Sequence, residues 1–147
     1  MKSAQKGFTL VELLVVIGIL ATLLAITLIA INPARQFSQS NNTQRSSNVN
    51  AILNAVHQYA ADNRGAIPAG ITTSVQNIAD TGADICASLI TTYIAALPVD
   101  PTLGGGTITN CGAAYDSGYT IVQSATDNRI TVTAPSAELG LTITVTR

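Results

Sequence analysis

The sequence predicts an α+β fold, in which a long N-terminal helix packs through its second half against a C-terminal antiparallel sheet of about three to four strands. Three observations carry this reading. Residues 8–31 form an apolar run interrupted by one charged side chain, Glu12. Val49, Ile52, Leu53, Val56 and Tyr59 or Ala60 then recur at helical spacing. Near the C-terminus, segments 129–134 and 141–146 alternate β-branched apolar residues with Thr, the period of a half-buried strand.

The apolar run, FTLVELLVVIGILATLLAITLIAI, spans about 36 Å as a helix, enough to cross a hydrocarbon core of about 30 Å. Lys2 and Lys6 precede it, which places the N-terminus in the cytoplasm and the rest outside. A secretory signal has a shorter apolar stretch followed by a small-residue cleavage site, and no A-x-A triplet follows this one before the polar region. A plain anchor accounts for the length but not for Glu12, whose carboxylate in a lipid-facing helix costs a few kcal/mol unless a partner is supplied. The pairs Gly18/Thr22 and Ala21/Ala25 fit close helix packing, and fit ordinary membrane-helix composition equally.

The segment Lys6-Gly7-Phe8-Thr9-Leu10-Val11-Glu12 resembles the prepilin peptidase site of the type IV pilin family, which includes the pseudopilins of type II secretion. The resemblance implies a leader at residues 1–7, cut after Gly7, and N-methylation of the new Phe8 amine by a prepilin peptidase/N-methyltransferase. It implies a transmembrane and filament-core helix over 8–31. It also implies that Glu12 neutralises the N-terminal amine of a neighbouring subunit during assembly. Residues 32–147 are then the exported head, comprising the second half of the long helix at about 34–64 and the sheet at about 118–147, the family's lollipop shape. Implied partners are further copies and other pilins in a homo-oligomeric filament, and an inner-membrane assembly platform. The chain would sit in the inner membrane as a single-pass precursor and afterwards in a surface filament. The resemblance implies a structural subunit of a type IV pilus, the alternative being a pseudopilin of a type II secretion or competence system.

Asn32-Pro33 is expected to kink the helix, since Pro removes a backbone bond and crowds the preceding turn. Residues 34–50 are polar and look like a loop, yet they contain no Gly or Pro, so helix continuing through them is the other reading. Asn63-Arg64-Gly65 ends the helix, with Gly65 as the C′ residue and Pro68 beyond. The run from Asn50 to Asn63, followed by Ile67-Pro68, is similar to type G pseudopilins. Residues 66–84 read as a loop. A second amphipathic stretch carries Ile85, Leu89, Tyr93 or Ile94, and Leu97, and stops at Pro98. Residues 103–112 are glycine-rich and expected to be irregular. Strands follow at 119–124, 129–134 and 141–146, with Asp127-Asn128 turning between the first two.

Without Lys2 and Lys6 the chain has five Arg against eight acids, a poor platform for phosphates, so general nucleic-acid binding is not expected. Cys86 and Cys111 fall in the exported part and read as a disulfide, two buried thiols being the alternative. Neither belongs to a CxxC pair. Type G pseudopilins bind calcium in a loop before their last strands. Here Asp100, Asp116 and Asp127 are scattered and read as turn and cap residues, so no metal is expected. His57, the single histidine, reads as a half-buried or solvated side chain beside the helical stripe. With no nucleophile–His–acid arrangement and no phosphate-binding loop, neither enzymatic activity nor a cofactor is expected. Asn41-Asn42-Thr43 matches a glycosylation sequon.

Overall fold

A computed structural model describes residues 7–104 and 106–147; the leader expectation falls, apart from Gly7, outside them. The chain divides into two compact units, Met1–Phe37 and Ser38–Arg147. In the first, α1 covers Leu10–Ile31 and has no buried residue. Such a helix is long and apolar enough to cross a membrane. Its hydroxyls are satisfied from within: Thr22 Oγ1 donates to the Ile19 carbonyl at 2.8 Å and Thr27 Oγ1 to that of Leu24 at 2.9 Å. No polar group of these two side chains needs water.

The break falls at Asn32, which adopts a left-handed conformation (φ 47°) and ends α1. Asn tolerates that region better than most residues. Pro33 opens α2, Pro33–Asp62, at the first helical position, where its missing N–H is no loss. Asn32 also caps this second helix, its carbonyl accepting from Arg35 N at 3.1 Å. Of the two readings of residues 34–50, helix is the one observed. Short polar side chains bond back to their own helix there, as Thr43 Oγ1 does to Gln39 and Asn50 Nδ2 to Ser46. The helix stops one residue away from the expected geometry. Arg64 holds the left-handed C′ position (φ 58°), and Gly65 N closes back onto the Ala60 carbonyl at 2.7 Å.

The second unit carries a four-stranded antiparallel sheet of order β1-β4-β5-β6, formed by Gln76–Ala79, Asp116–Gln123, Ile130–Ala134 and Ile143–Thr146. The fold class is therefore α+β, a long helix against an antiparallel sheet. One sheet face buries Tyr119, Ile121, Ile130, Val132, Ala134 and Ile143 with Val49, Ile52, Leu53 and Val56 of α2 in a single core. Each buried Val, Leu or Ile among them contributes about 1.5–3 kcal/mol. On the opposite face Thr131 pairs with Thr146 and Thr133 with Thr144, hydroxyl to hydroxyl at 2.8 and 2.9 Å.

Three connecting segments differ from expectation. Within 66–84, β1 adds an edge strand. The stretch after Ile85 forms one helical turn, α3 (Cys86–Leu89), and not a longer helix. Thr91 and Thr92 are poor helix formers, and Thr91 turns left-handed (φ 72°). The chain then extends into β2, Leu97–Pro98, which pairs with β3, Thr107–Ile108. The glycine-rich segment is thus not wholly irregular. Cys86 and Cys111 are joined as a disulfide across this region.

Candidate assembly site

Gly7, Phe8 and Thr9 precede α1 without regular structure, and all three are exposed. Phe8 is 84% exposed. A peptide bond between Gly7 and Phe8 is therefore presented on accessible, non-helical backbone. Thr9 is extended (φ −78°, ψ 154°) and is the N-cap of α1. Glu12 N donates to Thr9 Oγ1 at 3.2 Å, while Thr9 N and Thr9 Oγ1 donate to Glu12 Oε2 at 2.8 and 2.7 Å. This reciprocal capping box satisfies donors that the first helical turn leaves open, and the carboxylate lies at the positive end of the helix dipole.

Glu12 was expected to find its partner through assembly, and within one chain it already has Thr9. Thr9 escaped the sequence reading as a functional residue, although T-x-x-E before an apolar run is a recognisable signal. All three bonds leave Oε1 free of the box. Gly18 meets nothing within 4 Å of an added Cβ, so among the described residues its small size is not used by any contact.

A second polar constellation lies in the head. Arg45 is wholly buried; its Nε and Nη2 grip Asp100 at 2.7 and 3.0 Å, and its Nη1 donates to Glu138 at 2.7 Å and to Asn42 Oδ1 at 3.0 Å. Ser38 and Asn41 donate to the Glu138 carboxylate at 3.0 Å each. Asn42 bonds the Glu138 backbone in both directions, at 2.8 and 3.0 Å. Burial disfavours the ionised form of Asp100, but the bonds from Arg45 and from Thr102 outweigh it and hold its carboxyl below the ordinary value. Glu138 is likewise held low, chiefly by Arg45 and then by Asn41. The two carboxylates in turn raise the Arg45 value further. Gly118 makes room for the Asp100 loop: it has φ 74°, and a Cβ there would lie 2.9 Å from Asp100 Cβ.

The acids weighed for calcium take separate roles. Asp100 pairs with Arg45, Asp116 Oδ1 accepts from Gly118 N at 2.8 Å, and Asp127 Oδ1 accepts from Arg129 N at 3.3 Å. His57 lies within α2, half-buried, its Nε2 enclosed without a hydrogen-bond partner among the described residues. Asn41 of the sequon sits within α2 with its amide committed to Glu138.

Residues 2–28 match the family model of the prokaryotic N-terminal methylation motif. No curated protein and no solved structure matches the chain. The motif goes with structural proteins that a prepilin peptidase processes and that assemble with other pilins, and the apolar α1 behind it fits a membrane-anchored precursor. The chain thus carries the prokaryotic N-terminal methylation motif over residues 2–28, a stretch that includes most of α1.

Proposed function

We propose that this chain is the structural subunit of a type IV pilus. Residues 1–7 are a leader removed between Gly7 and Phe8. Residues 8–31 hold the precursor in the inner membrane, N-terminus inside, and then form the filament core. Residues 32–147 are the exported head. The observation that carries this reading is a single carboxylate, Glu12, one turn into an apolar helix that makes no buried contact within its own chain. The methylated Phe8 amine of a neighbour would approach Oε1, the oxygen outside the capping box. In a low-dielectric core such a pair is favourable only when well placed, while either charge alone is costly, which sets axial register.

Glu12→Gln keeps the shape and the bond to Thr9 N but removes the charge. Surface filaments imaged by electron microscopy should fall to a small fraction of wild type; an undiminished yield defeats the role given to Glu12. Mass spectrometry of the mature chain should find N-methylated Phe8 as its first residue, and any other first residue refutes the cut at Gly7.

A second reading, a pseudopilin of a type II secretion or competence system, is favoured by the likeness of residues 50–68 to type G pseudopilins. It predicts that deletion abolishes protein secretion or DNA uptake while native-level expression yields no surface filaments.

A further inference from the structure

Glu138, Leu139, Gly140 and Leu141 form a tight turn closed by Leu141 N on the Glu138 carbonyl at 3.2 Å. Both central residues have positive φ, 59° at Leu139 and 69° at Gly140. Asn-Gly or Gly-Gly fills such a turn without strain, whereas a leucine in the left-handed region costs about 1–2 kcal/mol. The strained residue is also exposed. Leu139 shows 48% of its surface and Leu141 57%, side by side on one turn. Other exposed apolar residues of the head, such as Val75 and Leu103, lie on separate segments. A polar residue at 139 would serve both the turn and solubility better, so the side chain itself has a use.

The turn is also held firmly in one place. Glu138 is fixed by Ser38, Asn41, Asn42 and Arg45, whose guanidinium it shares with Asp100. The helix face beside Leu141 offers Gln39, Thr43 and Ser46, all uncharged. Ser38 follows Ile31, the last residue of the apolar helix, by seven residues. That is no more than about 25 Å of chain. When residues 8–31 span a bilayer, a tether of this length leaves the Leu139–Leu141 turn within reach of the bilayer surface.

We propose that the Leu139-Gly140-Leu141 turn is a second membrane contact, through which the head of the unassembled precursor rests on the lipid surface. The inference rests on the membrane-anchored reading above. The occupant is the lipid interface and not a second copy, because the tether supplies lipid at high effective concentration while the chain is still monomeric.

The sequence contains no Trp, so one introduced residue reports without background. The full chain is reconstituted in phosphatidylcholine vesicles as Leu141→Trp, as Leu20→Trp within α1, and as Ala61→Trp, about 30 Å further along α2 than Asn41. Both head positions are exposed, so neither substitution enters the core. Emission of Leu141→Trp should be blue-shifted and quenched by lipid brominated near the glycerol backbone, whereas Ala61→Trp should not be quenched. Both effects should persist on dilution of protein in lipid, and adding Leu139→Ser should reduce them. If Leu20→Trp is quenched by lipid brominated deep in the acyl chain and Leu141→Trp is not quenched by lipid brominated near the glycerol backbone, the second contact is refuted while the anchor stands. If Leu20→Trp is not quenched by the deep-brominated lipid, both fall. A blue shift without quenching, lost as protein is diluted, assigns the turn to a second copy and overturns the proposal.

Discussion

Arg45 answers two carboxylates that lie 55 and 93 residues further along the chain. Removing it leaves Asp100 charged in a fully enclosed site, a change that typically costs about 3–5 kcal/mol. Arg45→Leu should therefore lower head stability by about that amount in urea unfolding at neutral pH. Glu138→Gln, at a third-exposed position, should cost clearly less. Acid exposes the same pairs. Asp100 and Glu138 titrate below their ordinary 3.8 and 4.5 when folded, so the unfolded chain binds protons first as pH falls. Their contribution is complete at neutral pH and is lost as pH drops from the ordinary carboxylate range through the lowered folded values. The urea midpoint should fall across that window, and less steeply in Arg45→Leu. None of this was legible in the sequence, because partners so distant leave no local spacing to read. One hint was present. Asn42 and Arg45 continue the stripe of Val49, Ile52 and Val56 at helical spacing, and a lone cation on a buried stripe calls for an acid.

At the scale of elements, legibility followed local pattern. The apolar helix, the break at Asn32-Pro33 and strands β4–β6 were readable because each carries its own period or breaker. β1 was not, since Gln76-Asn77-Ile78-Ala79 is too short and mixed to show alternation, and its pairing with β4 decides its state. The one-turn α3 failed for the opposite reason: apolar spacing continued past Leu89, while Thr91 and the pairing of Leu97 with Ile108 drew the chain out of helix. The disulfide ties this weakly structured stretch together, Cys86 and Cys111 standing 25 residues apart. In the chain-entropy model such a crosslink contributes about 3 kcal/mol. Replacing both cysteines with Ser should lower stability by roughly that amount in denaturant unfolding, and an unchanged midpoint would show that the short β2–β3 pair and the edge-to-face contact of Tyr59 with Tyr93, ring centroids 5.6 Å apart, suffice.

For the whole molecule, every buried hydrophobic residue from Val49 to Ile143 belongs to the Ser38–Arg147 unit, and α1 buries none. The head should thus fold without the apolar segment. A fragment beginning at Ser38 is expected to be soluble and to unfold in one cooperative thermal transition followed by circular dichroism. A gradual, non-cooperative loss of signal would mean that the core needs something outside this unit. The methylation motif was the most legible part of the chain, because glycine, aromatic, glutamate and apolar run are contiguous. What the structure added there is Thr9, which holds one oxygen of the Glu12 carboxylate within the chain.

The Glu138 clamp has a mechanical consequence. A pull on the apolar segment reaches the head along α2 and enters it at Ser38. There it meets seven hydrogen bonds between Ser38, Asn41, Asn42 and Arg45 on one side and Glu138 and Asp100 on the other, spread over about two helical turns. These bonds run to two segments, the β5–β6 connection and the loop after β2, so tension divides between them at the point of entry. The helix would then hand its load to the sheet instead of peeling away from it residue by residue.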